Sequence, residues 1–163
     1  MSSAVSSHDR RLTATYLRWS TLQAALGRGY WLVTSLYLVL DARLRPEQLV
    51  LIGVGQAIAS MLFEVPTGVV ADAVSRRLSL IIAHVLVGLS MVATSLSTSF
   101  GALLATQILW GIGWTFASGA DVAWLTDELD DGSRAPHVLA AQARWKQIGA
   151  LAGLIGLGGL AWV

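Results

Sequence analysis

Five long apolar runs dominate the chain, and the polar breaks between them are short. A helix that crosses a bilayer needs about 20 mostly apolar residues, which is close to the length of each run. The predicted spans cover residues 16–40, 48–71, 78–96, 100–123 and 142–163. We therefore predict an all-α membrane protein of about five transmembrane helices, in which the short connections make successive helices antiparallel.

The composition agrees with a bilayer environment. The chain is 55% hydrophobic and 13% charged, whereas soluble domains carry about 25% charged residues. The alternative is a soluble helical bundle, whose helices need a polar face opposite an apolar stripe. The run at 78–96 is apolar on all sides, which disfavours that alternative. A net charge of +1 also argues against a nucleic-acid partner.

The flanking charges predict the topology, because cytoplasmic flanks of membrane helices carry an excess of Lys and Arg. The opposite flanks hold only Arg43 and Arg45. The predicted cytoplasmic flanks hold Arg10, Arg11, Arg18, Arg76, Arg77, Arg134, Arg144 and Lys146. We predict a cytoplasmic tail at 1–15, disordered over its first nine residues, and a helix bundle at 16–163 in the inner (plasma) membrane.

The sequence carries no signature of an enzyme or of a metal site. It has no cysteine, and its three histidines are scattered, which excludes disulfides and cysteine-ligated metals. It contains neither a visible nucleophile–base–acid set nor a glycine-rich phosphate loop after a strand. We predict a protein that is not an enzyme and that uses no cofactor.

The stretch at 68–77 is the most informative local pattern. One apolar run ends at Asp72, two arginines follow, and the next apolar run begins, as in a tight hairpin between two membrane helices. Glu64, Gly68 and Asp72 are four residues apart and so share one stripe of a helix. Asp72 can interact there with the positive N-terminal end of the following helix and with the arginines. The alternative is a charged loop that only marks topology.

This stretch resembles the loop between helices two and three of the major facilitator superfamily (MFS) of transporters, Gly-x-x-x-Asp-(Arg/Lys)-x-Gly-(Arg/Lys)-(Arg/Lys). Ala73 stands where the family has a basic residue, and Ser75 stands where it has glycine. The resemblance implies a cytoplasmic gate hinge and conformational switch that packs against the second half of the transporter. The matching positions are Gly68, Asp72, Arg76 and Arg77.

The fourth run is similar to a second family pattern, Arg-x-x-x-Gly-x-Gly. Gly111 and Gly113 match it, while Gln107 replaces the arginine that the family associates with proton coupling. Gln107 is therefore a candidate cavity residue without the coupling charge. Asp121 follows in a segment that looks like the cytoplasmic exit of helix four. It is a candidate charge partner for Arg76, Arg77 or Arg144, or else an interfacial carboxylate in water.

Two charges lie inside predicted spans, where ionisable residues usually face an interior or a cavity. Arg28 is a candidate for binding an anionic substrate group or for pairing with Glu64, and the alternative is that it snorkels to the interface. Glu64 is a candidate proton relay or cation site. Its alternative role is to partner Arg28, or the backbone groups that Pro66 frees in the helix.

The last run contains Gly149 and Gly153 at GxxxG spacing, which favours close helix packing. Taken together, the chain resembles the N-terminal part of an MFS secondary transporter, with small-solute transport as its expected function. The family fold has two six-helix halves, so we expect a truncated or partial transporter that works with a missing C-terminal half or a partner subunit. The alternative is a membrane helix bundle that binds partners and does not transport.

Overall fold

The computed structural model describes residues 7–130 and 132–160, and this part of the chain is helical throughout apart from short connections. The helices are α1 Ser7–Leu40, α2 Pro46–Ala73, α3 Arg76–Ser95, α4 Phe100–Ser118, α5 Ala120–Glu128 and α6 Ala135–Leu160, with a 3-10 turn at Gly132–Arg134. The predicted all-α class is therefore confirmed. One compact unit is Thr34–Trp124, and the other combines the chain up to Val33 with the chain from Leu125 onwards.

The helices of the Thr34–Trp124 unit begin at residues suited to a helix start. Pro46 is the first residue of α2, where its missing N–H costs no hydrogen bond. Ser75 caps α3 by accepting a hydrogen bond from the Leu78 N–H at 3.3 Å. Ser99 caps α4 in the same way, from the Ala102 N–H at 3.4 Å. Each cap satisfies a backbone donor that the helix itself leaves open.

Three helical stretches are long and apolar enough to cross a membrane: Pro46–Ala73, Arg76–Ser95 and the run Phe100–Glu128. They correspond to the second, third and fourth predicted spans. The first predicted span lies in α1 and the fifth in α6, except for residues 161–163, which lie outside the described part. Both helices fall short of the hydropathy of a membrane span over their described residues. Both helices carry charges within the predicted spans, such as Arg28 in α1 and Arg144 in α6.

Large apolar side chains cover the outside of α2. Only 11% of its span is buried, and Met61 and Val65 are 79% and 75% exposed. Exposed apolar patches of this kind mark surfaces that contact protein or membrane. The exterior of α2 is thus compatible with a membrane-embedded protein.

Helix α4 is the centre of the Thr34–Trp124 unit and contacts both α2 and α3 extensively. A Cβ atom on Gly111 would lie 3.0 Å from side-chain atoms of Gln56 and Ser60 in α2. A Cβ on Gly113 would lie 3.0 Å from Leu86 in α3. The two glycines that match the family pattern therefore let α4 approach both neighbours closely.

The other unit is built on a close contact between α1 and α6. Gly149 packs on the backbone of Thr21, and Gly153 packs on the backbone of Ala25. Because both contacts advance by four residues on each helix, the two helices run in the same direction. This is the close packing predicted from the GxxxG spacing.

Helix α1 begins at Ser7, well before the predicted span, so the disorder predicted for the first nine residues is wrong at 7–9, and residues 1–6 lie outside the described part. The cytoplasmic location of 1–15 stays a prediction. The reason for the early start of α1 is Asp9, which is 2% exposed in the first turn of the helix. Its carboxylate accepts hydrogen bonds from the Asp130 N–H at 3.0 Å and from Arg134 at 3.3 Å. These bonds, and the favourable position of a carboxylate at a helix start, extend the helix. Likewise α6 begins at Ala135, earlier than the predicted residue 142.

Gly153→Ala tests the α1–α6 contact. The added methyl would overlap the Ala25 backbone, which cannot move aside as a flexible side chain can. Overpacking of this kind costs about 1–3 kcal/mol, so we expect a lower thermal unfolding temperature in detergent. Gly156→Ala is the matched control, because its Cβ would meet no atom within 4 Å. Equal unfolding temperatures for the two variants would contradict the contact.

Candidate functional site

The hairpin between α2 and α3 carries the candidate switch. Asp72 Oδ1 lies 3.6 Å from Arg76 Nη2, so the acid and the first arginine of the pattern form an ion pair across the turn. The Asp72 side chain is 74% exposed and that of Arg76 is 33% exposed. An ion pair this accessible contributes only about 0–1 kcal/mol. The pair therefore orients Arg76 more than it stabilises the fold.

Arg76 connects the hairpin to α5. Its Nη1 donates a hydrogen bond to the Ala123 carbonyl oxygen at 3.4 Å. Asp121 lies two residues earlier, half-buried in the first turn of the same short helix. The structure therefore brings Arg76 to the turn that carries Asp121. Arg144 belongs to the other unit, so its pairing with Asp121 stays a prediction.

A second contact fixes the start of α3. The Ser79 hydroxyl is fully buried and donates to the Phe116 carbonyl oxygen at 2.9 Å. Phe116 lies near the end of α4, so α3 is held at one point by α4 and at another by α5. Sequence patterns did not identify Ser79, because a single serine in an apolar run carries no specific signal.

The remaining positions of the family pattern lie on the surface. A Cβ on Gly68 would meet no atom within 4 Å, so none of the described residues requires a glycine there. Arg77 is exposed. Ser75, which departs from the family glycine, serves as the α3 cap. The predicted packing of this face against a second half of the transporter stays a prediction.

Glu64 does not serve the backbone around Pro66. The Thr67 hydroxyl donates to the carbonyl oxygens of Phe63 at 2.8 Å and Glu64 at 3.2 Å. The carbonyl that Pro66 leaves without an N–H donor is that of Leu62, four residues before the proline. The Glu64 side chain is exposed and makes no hydrogen bond or ion pair with any described residue. The role of Glu64 as a partner of the backbone around Pro66 is therefore removed. Its pairing with Arg28 and its role as a relay or cation site stay predictions.

Gln107 lies in a polar network between α3 and α4. It is 1% exposed, and its Nε2 donates to Thr94 Oγ1 at 3.2 Å. Thr94 Oγ1 in turn donates to Thr106 Oγ1 at 3.0 Å. In this unit the amide joins two helices and does not face an open cavity. The two threonines were missed by the sequence analysis, which singled out Gln107 alone.

Arg28 is exposed on α1 and forms no hydrogen bond or ion pair with any described residue. It belongs to a different unit from Glu64, so their pairing stays a prediction. Helix α1 has 34 residues, or about 51 Å at 1.5 Å per residue. That length exceeds a hydrocarbon core of about 30 Å, so the depth of Arg28 depends on which part of α1 crosses the membrane.

Comparisons of the chain with protein-family models, with curated proteins and with solved structures gave no match. The likeness to the MFS therefore rests on the residues of the two short patterns, at 68–77 and 107–113.

Thr94→Val tests the buried network. It removes the hydroxyl that Gln107 and Thr106 both contact and leaves the Gln107 amide without its acceptor. An interhelical hydrogen bond in a membrane protein contributes about 1 kcal/mol, so we expect a measurable loss of thermal stability in detergent. Ser95→Ala is the control, because the exposed Ser95 hydroxyl bonds only within its own helix. A Thr94→Val protein as stable as that control would show that the network contributes nothing.

Proposed function

We propose that the chain is an integral membrane protein with a cytoplasmic N-terminus, and that it takes part in small-solute transport as a portion of an MFS-type secondary transporter. The observation that carries the proposal is the α2–α3 hairpin. Its Asp72–Arg76 pair joins two helices of membrane-spanning length, and Arg76 also reaches α5. A charged hinge of this kind is what a cytoplasmic gate needs.

The energetics of the hairpin suit a switch. A conformational equilibrium responds to a ligand only when its states differ by a few kcal/mol. The exposed Asp72–Arg76 pair contributes about 0–1 kcal/mol, and the Arg76 contact with Ala123 is long at 3.4 Å. Both contacts can break and re-form without unfolding the helices. The stronger Ser79 contact to α4 would keep α3 in place during such a change.

Transport by this mechanism involves a second helical body. In secondary transporters one bundle rocks against another around a site near the membrane midplane. A C-terminal half or a partner subunit would supply that body, and a small solute would be the substrate. Glu64 and Arg28 are the proposed contributions of this chain to the site, whereas Gln107 is buried between α3 and α4.

The membrane topology can be measured directly, since the chain has no native cysteine. With a cytoplasmic N-terminus, Thr98→Cys in the exposed α3–α4 connection should react with a membrane-impermeant maleimide in intact cells. Val74→Cys in the α2–α3 hairpin should react only after the cells are broken. Both native side chains are exposed, so burial does not limit labelling. The reverse pattern would overturn the orientation, and recovery of the chain in the soluble fraction would overturn membrane embedding.

The switch role can be tested in the native host with the chromosomal gene altered, so that any partner is present. Asp72→Asn removes the charge that holds Arg76 and keeps the side-chain size. We expect it to reduce by about two- to five-fold the difference in accumulated solutes between the wild-type strain and a deletion strain. A five-fold change in rate corresponds to about 1 kcal/mol in the barrier, the upper end of what an exposed ion pair contributes. Untargeted metabolite profiling measures the solutes, and membrane-fraction blots check the protein level.

Glu47→Gln is the matched control for Asp72→Asn. Glu47 also forms an exposed ion pair, with Arg45 at 3.1 Å, but at the other end of α2. The Glu47→Gln strain should retain the wild-type solute profile. Equal profiles for Asp72→Asn and wild type would remove the switch assignment. Equal profiles for the wild-type and deletion strains would remove the transport assignment.

One observation favours the non-transporting alternative. Gln107, a candidate cavity residue, is buried in packing between two helices. A bundle that only binds partners needs no cavity, and its surface charges would contact the partner instead. A deletion strain without a solute phenotype, together with a specific membrane protein that is crosslinked from the Glu64 face, would support this second function.

A further inference from the structure

A groove runs along the contact between α1 and α6. It has a volume of about 540 Å³ and is lined from Ala14 to Ala25 on α1 and from Trp145 to Ala152 on α6. At 1.5 Å per residue the α1 side is about 17 Å long. The groove follows the line where Gly149 packs on Thr21, because two helices this close leave a narrow furrow beside their contact.

The lining is apolar except at two residues. The Thr21 hydroxyl donates to the Leu17 carbonyl oxygen at 2.7 Å, so it offers the groove no unused donor. Arg18 is the charged residue of the lining. Its guanidinium makes no hydrogen bond or ion pair with any described residue. The groove therefore presents an apolar channel with one cation that is open to an anionic ligand.

The dimensions fit one leaflet of a bilayer. The hydrocarbon core is about 30 Å thick, so one leaflet is about 15 Å deep, which is close to the length of the groove. Side chains on a helix lean toward its N-terminus, and long arginine side chains extend toward the membrane surface. With the N-terminus of α1 in the cytoplasm, both tendencies would bring the Arg18 guanidinium toward the headgroups of the cytoplasmic leaflet.

We propose that this groove binds one anionic phospholipid of the cytoplasmic leaflet, with an acyl chain along the α1–α6 furrow and the phosphate at Arg18. The inference rests on the membrane embedding proposed above but not on transport. Charge complementarity favours a lipid over a second copy of the chain. A two-fold copy would bring a second Arg18 to the same interface, where the like charges repel.

Native mass spectrometry of the purified full chain in detergent tests the site, with phosphatidylglycerol and phosphatidylcholine of identical acyl chains as probes. One basic residue at an anionic lipid surface contributes about 1 kcal/mol, so we expect an about five-fold preference for phosphatidylglycerol at one bound lipid. Arg18→Gln should abolish the preference. Arg11→Gln, an exposed arginine of the same helix end outside the groove, should retain it. Ala152→Phe, which fills the groove, should weaken binding of both lipids.

Several outcomes would overturn the inference. Equal binding of the two lipids by the wild-type chain would remove the headgroup contact, and so would an unchanged preference in Arg18→Gln. A dimer that Ala152→Phe dissociates would show that a second copy occupies the groove. The Arg18→Gln measurement still tests the contact with the lipid headgroup if Ala152→Phe fails to fold. A chain found in the soluble fraction would defeat membrane embedding itself, whereas a membrane-embedded chain without lipid preference defeats this inference alone.

Discussion

Close approach of helix backbones at small residues is the constraint on which both units depend. Gly111 and Gly113 let α4 lie against α2 and α3, and Gly153 lets α6 lie on the backbone of α1. Many large apolar residues face outwards, such as Met61 and Val65, whereas the buried positions of α3 include Ser79, Ser90 and Thr94. In a soluble protein the large apolar groups would occupy the interior. Tight packing of small residues and interhelical hydrogen bonds are what hold helices together in a lipid environment, where burial of apolar surface gives little driving force.

The contacts between α3 and α4 are stronger than the contacts of the charged hairpin between α2 and α3. The α3–α4 interface contains a buried hydroxyl–amide network. Breaking it would leave polar groups without hydrogen-bond partners, at a cost of about 1–3 kcal/mol in stability for each group. The Asp72–Arg76 pair is accessible to water and contributes much less, and the Arg76 contact with α5 is long at 3.4 Å. A change of state would therefore begin at the hairpin while the helix contacts persist. The proposed gate requires such a difference in strength, independent of any family likeness.

Much of the helical pattern was predictable because apolar run length and caps are local signals. Gly149 and Gly153 pack closely, as their spacing predicts, and Pro46 and Ser75 begin α2 and cap α3 as residues of these types commonly do. The start of α1 was not predictable, because it depends on the Asp9 contacts with Asp130 and Arg134, far away in sequence. The Thr94–Gln107 network was missed for the same reason. Single hydroxyl residues gain significance only when the fold brings them to an amide on another helix.

The position of Glu64 argues most directly for a second helical body. It lies on α2 between exposed Met61 and Val65, and the described residues give it no partner. Glu64 lies nine positions before Ala73 at the end of the helix, or about 14 Å, which places it within the hydrocarbon when α2 is centred in the membrane. A charge in hydrocarbon costs about 2.5–3.5 kcal/mol even on insertion scales, and such residues usually face a cavity or a protein partner. Both proposed functions would place a cavity or a protein partner against the Glu64 carboxylate. They differ in what the carboxylate contacts, because a transporter would expose Glu64 to water in at least one state and a static partner complex would keep it dry.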